Sequence, residues 1–356
     1  MKIEKVSLND YQEISEINKK NYIDILNEND WRNIWQKNPY FIKKNQDWII
    51  GWKITDNAKI YGVILNIPYI FKLNGSEYLA AVCSNYVVEK KYRSFALKLR
   101  HLFLNQEGAD LLITNSANEK AEKIMEAFKA KKIAQYDYQN RLVFALNKKK
   151  IIFNYIKNFK FNLNFANLSN FFFEEKINIK NKDLTFSLTN KFDLDCDQLD
   201  RKLTYEKKFF SSKNLDWLNW KYNKYLKKND LYIVKIFENR NLVGFIVLIQ
   251  NYEKNYKLKR STITEFSFIN KNDSRNLEMI KKCILVSKKL NCDLVDVVGF
   301  NKFKKDMFKE IGFTDKETKN FSFLVKNLNP QIERILFNNE NTLDMSLTDG
   351  DAIFSL

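Results

Sequence analysis

The sequence predicts an α/β protein with two domains, each built on a mixed sheet flanked by helices. Three observations support this prediction. The chain has 356 residues, which at about 100–200 residues per domain corresponds to two domains. Hydrophobic residues make up 45% of it, enough for two buried cores. The order β-α-α-β-β-β-α-β-α-β of strand-like and helix-like segments occurs once in each half, so the chain contains an internal repeat.

Residues 1–146 form the predicted N-terminal domain. Asn9-Asp10 favours the start of the first helix after a strand, and Asn38-Pro39 ends the second helix. Asp56-Asn57 and Asn74-Gly75-Ser76 are typical of turns between strands. The predicted strands cover 2–8, 48–55, 59–71, 78–88, 109–114 and 133–146, and the predicted helices cover 11–26, 31–35, 94–106 and 119–131.

The remaining chain divides into a connector (147–183), a C-terminal domain (184–327) and a tail (328–356). The connector lacks a clear period, but three adjacent phenylalanines at 171–173 argue against a solvated tether. We therefore expect it to pack across both halves. The predicted strands of the second domain cover 184–188, 232–238, 242–251, 259–269, 294–298 and 321–325, and its predicted helices cover 195–211, 215–225, 277–290 and 303–311.

The charge of the chain is strongly basic, with 60 Lys and Arg against 43 Asp and Glu and a net charge of +17. Such a chain can bind nucleic acids or other anions. Most of the basic residues are lysines, however, whereas proteins that bind nucleic acids favour Arg for phosphates and base edges. We interpret the charge as the amino-acid bias of an AT-rich genome, with a functional basic groove as the alternative, and expect no nucleic-acid partner apart from the tRNA considered below.

Cysteine and histidine exclude several kinds of site. The four cysteines include no CxxC pair, so we expect no metal. The single histidine, His101, excludes mechanisms that need two and is expected to be an ordinary helix residue. No run approaches the roughly 20 apolar residues of a membrane helix, and the first residues lack the apolar core of a signal peptide. The sequence therefore predicts a cytoplasmic protein without a membrane span.

The segment 82–104, VCSNYVVEKKYRSFALKLRHLFL, points to a family. With the order of elements, it resembles the GCN5-related N-acetyltransferase (GNAT) fold, and each half resembles one such domain over 1–327 in total. In that family, Arg/Gln-x-x-Gly-x-Gly/Ala opens the helix whose N-terminal N–H groups hold the pyrophosphate of an acyl-coenzyme A. Here Arg93 matches the first position, and Ala96 and Lys98 replace the glycines.

The resemblance implies acetyl-coenzyme A or another acyl-coenzyme A as co-substrate, bound by the first half. Its pyrophosphate is expected at the start of helix 94–106, and N–H groups at the end of the fourth strand are expected to polarise the thioester carbonyl. The implied cofactor-binding residues are Val87, Val88, Arg93, Ser94, Phe95, Ala96, Leu97 and Asn118. The alternative is an ordinary strand–helix corner with solvated bases.

Two further family features concern proton transfer. The Tyr that often protonates the leaving thiolate falls at Met125 in the first half and at Phe308 in the second, so neither half has this phenol. Glu265 lies where the family sometimes has a carboxylate base, which makes it the candidate catalytic residue. The alternative for Glu265 is an outward-facing strand residue.

The tail contributes the candidate substrate-binding residues. Trp217–Tyr222 and Leu343–Phe354 resemble segments of tandem acyltransferase-like proteins from bacterial surface-polysaccharide clusters. This resemblance implies that Asp349 and Asp351 bind the ammonium group of an amino sugar. A solvated chain end is the alternative.

The sequence as a whole predicts an N-acyltransferase that uses acyl-coenzyme A and a small-molecule amine acceptor, without a covalent enzyme intermediate. Two alternatives stay open. One is an aminoacyl-tRNA-dependent transferase, because tandem domains of this kind resemble Fem-type enzymes. The other is a non-catalytic binding protein with two GNAT-like domains, because the glycine loop and the family tyrosine are both absent.

Overall fold

The structure is a computed structural model that describes residues 1–44, 47–134, 140–152, 184–204, 208–254, 256–269, 274–316, 322–338 and 343–355. It contains two mixed sheets with helices packed on them, so the predicted α/β class with two GNAT-like sheets is confirmed. Most of the connector, including the phenylalanines at 171–173, lies outside the described residues. No helix in the described ranges is both long and apolar enough to cross a bilayer.

The strands are numbered in chain order. They are β1 (Lys2–Lys5), β2 (Gly51–Asp56), β3 (Lys59–Leu73), β4 (Ser76–Val88), β5 (Leu111–Ala117), β6 (Lys131–Lys132), β7 (Arg141–Ala145), β8 (Thr185–Thr189), β9 (Phe209–Ser211), β10 (Leu231–Glu238), β11 (Asn241–Glu253), β12 (Leu258–Phe268), β13 (Leu294–Val298), β14 (Thr314–Lys316), β15 (Ser322–Asn327) and β16 (Leu343–Asp344).

The helices are numbered in the same way. They are α1 (Tyr11–Lys20), α2 (Glu28–Gln36), α3 (Pro39–Lys43), α4 (Ala96–Phe103), α5 (Glu119–Ala127), α6 (Asp195–Thr204), α7 (Leu215–Lys221), α8 (Asn223–Lys228), α9 (Ser274–Lys289), α10 (Lys302–Glu310), α11 (Glu333–Asn338) and α12 (Ala352–Ser355).

Tight turns join the antiparallel strands where the sequence predicts them. Asn57 and Ala58, between β2 and β3, have φ of 49° and 63°, and Asn74 and Gly75, between β3 and β4, have φ of 49° and 84°. Positive φ at both central residues is the type I′ geometry, which matches the twist of a hairpin. Asn and Gly enter this region at low cost, so local sequence fixes both hairpins.

Three predicted helices end earlier or begin later than expected. The first stops at Lys20, and Tyr22 beyond it takes a left-handed φ of 57°. Of the helix predicted over 94–106, only Ala96–Phe103 is α-helical, and the residues before it, Lys90–Phe95, form a 3-10 helix. The helix predicted over 195–211 stops at Thr204, because Phe209–Ser211 instead forms β9, which pairs with β3 and β16.

The two halves exchange their closing strands. Strand β7, from the first half, pairs with β13 and β14 in the second sheet. Strand β15, from the second half, pairs with β5 and β6 in the first sheet. Each sheet is therefore completed by the other half of the chain. The domain boundaries at residues 146 and 184 stay a prediction.

Each sheet opens into a gap between two parallel strands. In the first sheet, β4 and β5 pair only from Ala80–Val82 to Leu111–Ile113, although both strands continue. In the second, β12 and β13 pair from Arg260–Ile263 to Leu294–Val297. We call the gap beyond Val82 and Ile113 the first wedge, and the gap beyond Ile263 and Val297 the second wedge.

The C-terminal tail passes between the two wedges. Asn115 Nδ2, in the first wedge, donates to Leu347 O at 2.9 Å. Thr348 Oγ1 donates to Thr264 O in the second wedge at 2.7 Å. The tail is therefore an interior segment that links both sheets.

Candidate functional site

A cavity of about 290 Å³ lies beside the first wedge, between α1, α2, the loop that joins them and the end of β4. A β-bulge in β4, at which Asn85 takes a φ of 48°, shapes this edge. The polar and aromatic side chains that line the cavity include Tyr11, Asn18, Asp24, Trp31, Ser84, Asn85 and Asp351. Among its described lining residues are two carboxylates and no lysine or arginine, in a chain with a net charge of +17.

Asp351 supplies the carboxylate at the base of this cavity. Burial raises its pKa to about 6, against an ordinary value of 3.8, although a hydrogen bond with Ser84 acts in the opposite direction. A carboxyl group with this pKa is ionised at neutral pH and is a much better proton acceptor than an ordinary aspartate.

Gly350 brings Asp351 to the wedge by close approach. A Cβ at this position would lie 2.0 Å from Asn115 Nδ2, so only glycine lets the tail touch β5. Tyr69 Oη also donates to Gly350 O at 3.0 Å. The backbone next to Asp351 is thus held by β3 and β5 together.

Asp349 has a different environment, a buried cluster of two carboxylates and two ammonium groups. Lys221 Nζ lies 2.8 Å from Asp349 Oδ1 and 3.1 Å from Glu265 Oε2. Lys213 Nζ lies 3.0 Å from Glu265 Oε2 and 3.5 Å from Asp349 Oδ1. Ser211 Oγ donates to Asp349 Oδ1 at 2.5 Å. The opposite charges balance, which is the condition for keeping charged groups in an interior.

The cluster holds Asp349, Lys213 and Lys221 in their charged forms. Burial alone would raise the pKa of Asp349, but Lys213 and Lys221 outweigh it and hold this pKa below the ordinary value. Burial likewise favours neutral lysines, yet Asp349 and Glu265 keep the pKa values of Lys213 and Lys221 raised. The cluster therefore anchors the tail to β12 and α7 by charge.

The cluster settles two of the alternatives left open by the sequence. Asp349 is fully buried, so the idea of a solvated chain end is wrong for this residue. The side chain of Glu265 is 2% exposed, so an outward-facing strand residue is wrong as well. Catalysis by Glu265 and substrate binding by Asp349 stay predictions, and both carboxylates already have lysine partners.

Replacing Lys221 with Met is expected to destabilise the protein by about 3–5 kcal/mol, because it leaves two buried carboxylates with Lys213 as their single counter-charge. Urea unfolding at neutral pH measures this loss. The matched control is Lys228→Met, which removes the same charge from the exposed end of α8 and should change stability by less than about 0.5 kcal/mol. Equal stability of the two variants would contradict the anchoring role.

The predicted cofactor residues lie around the start of α4. Arg93, Ser94 and Phe95 belong to the preceding 3-10 helix, and Ala96 and Leu97 open α4 itself. Val87 and Val88 pair with β3 opposite Val63 and Gly62. Phe95 provides no side-chain cap to α4, and the N–H of Ala96 donates to Arg93 O at the end of the 3-10 helix.

Asn115 and Asn118, at the end of β5 and just beyond it, have different surroundings. Asn118 Oδ1 accepts from Ala121 N–H at 3.0 Å and thereby caps α5. Its role toward coenzyme A stays a prediction. Asn115, three residues earlier, points into the first wedge, where its Oδ1 is buried without a hydrogen-bond partner. An asparagine inside the apolar strand LLITNSA was the signal that could have identified it.

The two wedges differ in what fills them. In the first wedge, Arg100 Nε and Asn115 Oδ1 are buried polar atoms without partners. In the second wedge, aromatic rings pack together, with centroids 4.7 Å apart for Phe266 and Phe268 and 5.6 Å apart for Phe266 and Phe308. The first wedge therefore offers buried hydrogen-bonding atoms to a ligand, whereas these rings fill part of the second.

Comparison with known proteins gives similarity at the level of structure. No protein-family model and no curated protein matches the sequence. A GCN5-related N-acetyltransferase from Anabaena variabilis matches at 11% identity with a TM-score of 0.57, covering 92% of this chain and 73% of its own. A protein of unknown function from Enterococcus faecalis, described as a probable N-acyltransferase, matches at 8% identity with a TM-score of 0.58, covering 93% of this chain and 73% of its own.

A third solved structure, a GCN5-related N-acetyltransferase from Kribbella flavida, matches at 8% identity with a TM-score of 0.54, covering 92% of this chain and 71% of its own. In all three cases the similarity extends over both sheets, since more than nine tenths of this chain is covered. The chain therefore has the GNAT fold, as its order of strands and helices predicts.

Proposed function

We propose that this protein is an acyl-coenzyme A-dependent N-acyltransferase whose acceptor is a small hydroxylated amine, with an amino sugar of a surface polysaccharide as the candidate. One observation carries the proposal. A cavity with acidic lining and a carboxylate of raised pKa, Asp351, lies directly against the open wedge of a GNAT sheet.

The first wedge has the groups that a pantetheine arm requires. A pantetheine chain contains amides, each with one donor and one acceptor. Asn115 Oδ1 can accept from an amide N–H, and the N–H groups of Arg100 can donate to an amide oxygen. The start of α4, with Arg93 and Ser94 just before it, would hold the pyrophosphate at the positive end of the helix dipole. The packed rings of the second wedge leave no comparable groups, which supports binding in the first half.

The cavity has the groups that a hydroxylated ammonium ion requires. Asp24 and Asp351 attract a cation and repel a carboxylate. Trp31 Nε1 and Asn18 Oδ1 are buried without partners, and both residues line the cavity. A hydroxyl group can accept a hydrogen bond from Trp31 Nε1–H and donate one to Asn18 Oδ1. These features support an amino sugar or amino alcohol rather than an amino acid.

The proposed reaction is a direct transfer. Asp351 binds the acceptor as its ammonium ion and takes one proton from it, which frees the nitrogen lone pair. The nitrogen attacks the thioester carbonyl, so an N–C bond forms, the C–S bond breaks and the sulfur leaves as a thiolate. The nitrogen loses its second proton to water as the neutral amide forms. N–H groups at Val87 and Val88 would polarise the carbonyl oxygen. Glu265 and Asp349, each bound to two lysines, hold the tail that carries Asp351.

An acceptor comparison tests this proposal. Glucosamine and cyclohexylamine are primary amines on six-membered rings that differ in hydroxylation, and transfer is measured by mass spectrometry of the acylated amine. We expect kcat/KM to be at least about ten-fold higher for glucosamine, and Asn18→Ala to remove most of this difference, since one lost hydrogen bond costs about 1 kcal/mol or more. Equal rates for both amines with the wild type would contradict the proposed acceptor class.

A further inference from the structure

Arg100 is a buried cation without a counter-ion among the described residues. It lies on α4 and is 1% exposed. Its Nη1 contacts Cys83 Sγ at 3.5 Å and Met125 Sδ at 3.4 Å, and its guanidinium lies 4.0 Å from the centre of the Tyr86 ring. Its Nε has no hydrogen-bond partner. Burying a charge is costly unless an opposite charge accompanies it, so this arrangement calls for an anion.

Arg100 lies at the apex of the first wedge, on the helix side of the sheet. Cys83 is the first residue of β4 beyond the last pair with β5. Met125, on α5, also accepts from Thr114 Oγ1 of β5 at 3.8 Å. The guanidinium is thus held between α4, α5 and both diverging strands.

Arg100 and Asp351 lie on opposite faces of one strand. Cys83 and Ser84 are consecutive residues in a regular part of β4, so their side chains point to opposite faces of the sheet. Cys83 contacts Arg100, and Ser84 bonds to Asp351. A reaction in the wedge therefore has a carboxylate on the acceptor side and a cation on the donor side.

We propose that the Arg100 guanidinium stabilises the thiolate of coenzyme A as it leaves, an inference that rests on the proposed function. When the C–S bond breaks, its electron pair stays on sulfur, and the negative charge forms beside the guanidinium. Arginine does not give up a proton in proteins, so Arg100 acts by charge alone. The first proton of the ammonium goes to Asp351, the second passes to water as the amide forms, and the thiolate is protonated by solvent after release.

The surroundings of Arg100 favour a sulfur anion. Two sulfur atoms and an aromatic ring already contact the guanidinium, and all three are polarisable groups. A guanidinium is delocalised and weakly hydrated, which suits a large, diffuse anion. Met125 and Phe308 stand where the family often has a tyrosine that protonates the thiolate, and neither can donate a proton. In the first half, Arg100 would stabilise the thiolate by charge instead.

The test follows the ionisation of bound coenzyme A by the ultraviolet absorbance of its thiolate. The thiol of a cysteine side chain has a pKa of about 8.5, and free coenzyme A titrated in parallel gives the reference value for this test. We expect the pKa of the bound thiol to fall by at least about one unit in the wild type, which corresponds to a ten-fold change in its ionisation constant. Arg100→Met should return it to the free value, and Arg100→Lys should keep part of the shift. The control Lys123→Met, which removes an exposed charge from α5, should keep all of it.

A second measurement needs no variant and applies even if Arg100→Met does not fold. Calorimetry compares the affinity of the wild type for coenzyme A and for desulfo-coenzyme A from pH 6 to about pH 9. We expect the affinity for coenzyme A, divided by the affinity for desulfo-coenzyme A, to rise about ten-fold over this pH range. A ratio that does not change with pH, or an unchanged thiol pKa in a folded Arg100→Met, would overturn the role of Arg100 and leave the proposed function intact. No binding of either compound to the wild type would overturn both.

Discussion

Replacing Asp351 with Asn is expected to lower kcat for acyl transfer by about 10²–10⁴-fold, the usual contribution of a positioned general base. Asn has nearly the same shape and can still bond to Ser84, but it cannot take the proton of the acceptor amine. The wild-type rate should also fall as the pH is lowered through about 6, because burial raises the pKa of Asp351 to about 6 and the protonated carboxyl cannot act as a base. The variant should lose this dependence. Stopped or continuous detection of released thiol over a pH series measures both effects.

The stability of the same variant separates catalysis from folding. The folded-state pKa of Asp351 is raised above its ordinary value of 3.8, so the folded protein binds a proton that the unfolded chain has already released between about pH 4 and pH 6. Stability therefore falls as the pH rises through this window. The Asp351→Asn variant would avoid that loss, so urea unfolding at pH 7 should show equal or higher stability. The control Asp306→Asn, on the exposed face of α10, should change neither rate nor stability. Full activity of the Asp351 variant would exclude it as the base.

Replacing Ala96 with Glu is expected to abolish binding of coenzyme A. Ala96 is the first residue of α4, where the positive end of the helix dipole would hold the pyrophosphate. A glutamate adds bulk and a negative charge at that point, and like charges at about 4 Å repel by about 4 kcal/mol near a protein surface. That corresponds to a loss of about 10³-fold in affinity. Isothermal titration calorimetry measures it.

The Ala96 variant should remain well folded, because a glutamate in the first turn of a helix interacts favourably with its dipole. Ala96→Ser provides the matched control, since serine is small and uncharged and should leave the affinity within about three-fold. Unchanged affinity in Ala96→Glu would place the pyrophosphate elsewhere and would leave Arg93 and Ser94 without a role in binding.

Much of the fold could be predicted because its signals are local. Hairpins form where Asn and Gly accept positive φ, and α1 and α2 follow their apolar spacing to bury Ile14, Ile17 and Trp31. The exchange of β7 and β15 could not be predicted in this way. Both are short strands, and which sheet edge each one joins depends on pairing between residues at least 149 positions apart. Only the folded chain reveals that choice.

The site was harder to predict than the fold, because its parts come from distant segments. The two acids of the tail look alike in Thr348-Asp349-Gly350-Asp351. Asp349 is neutralised by Lys213 and Lys221 from other elements, whereas Asp351 reaches a cavity that has no basic residue in its described lining. Their different environments appear only in three dimensions. A polar residue within an apolar run, such as Asn115, is a signal in the sequence that could have identified part of the site.

The central claim is that the first half binds acyl-coenzyme A, and the most direct test is differential scanning calorimetry of the wild type with coenzyme A, acetyl-coenzyme A and tRNA. A ligand present at about 100 times its dissociation constant raises the free energy of unfolding by about 2.7 kcal/mol. We predict this stabilisation with both coenzyme A compounds and none with tRNA. Stabilisation by tRNA alone would support the Fem-type transferase and contradict the claim, and a chain that none of the three stabilises would contradict it as well.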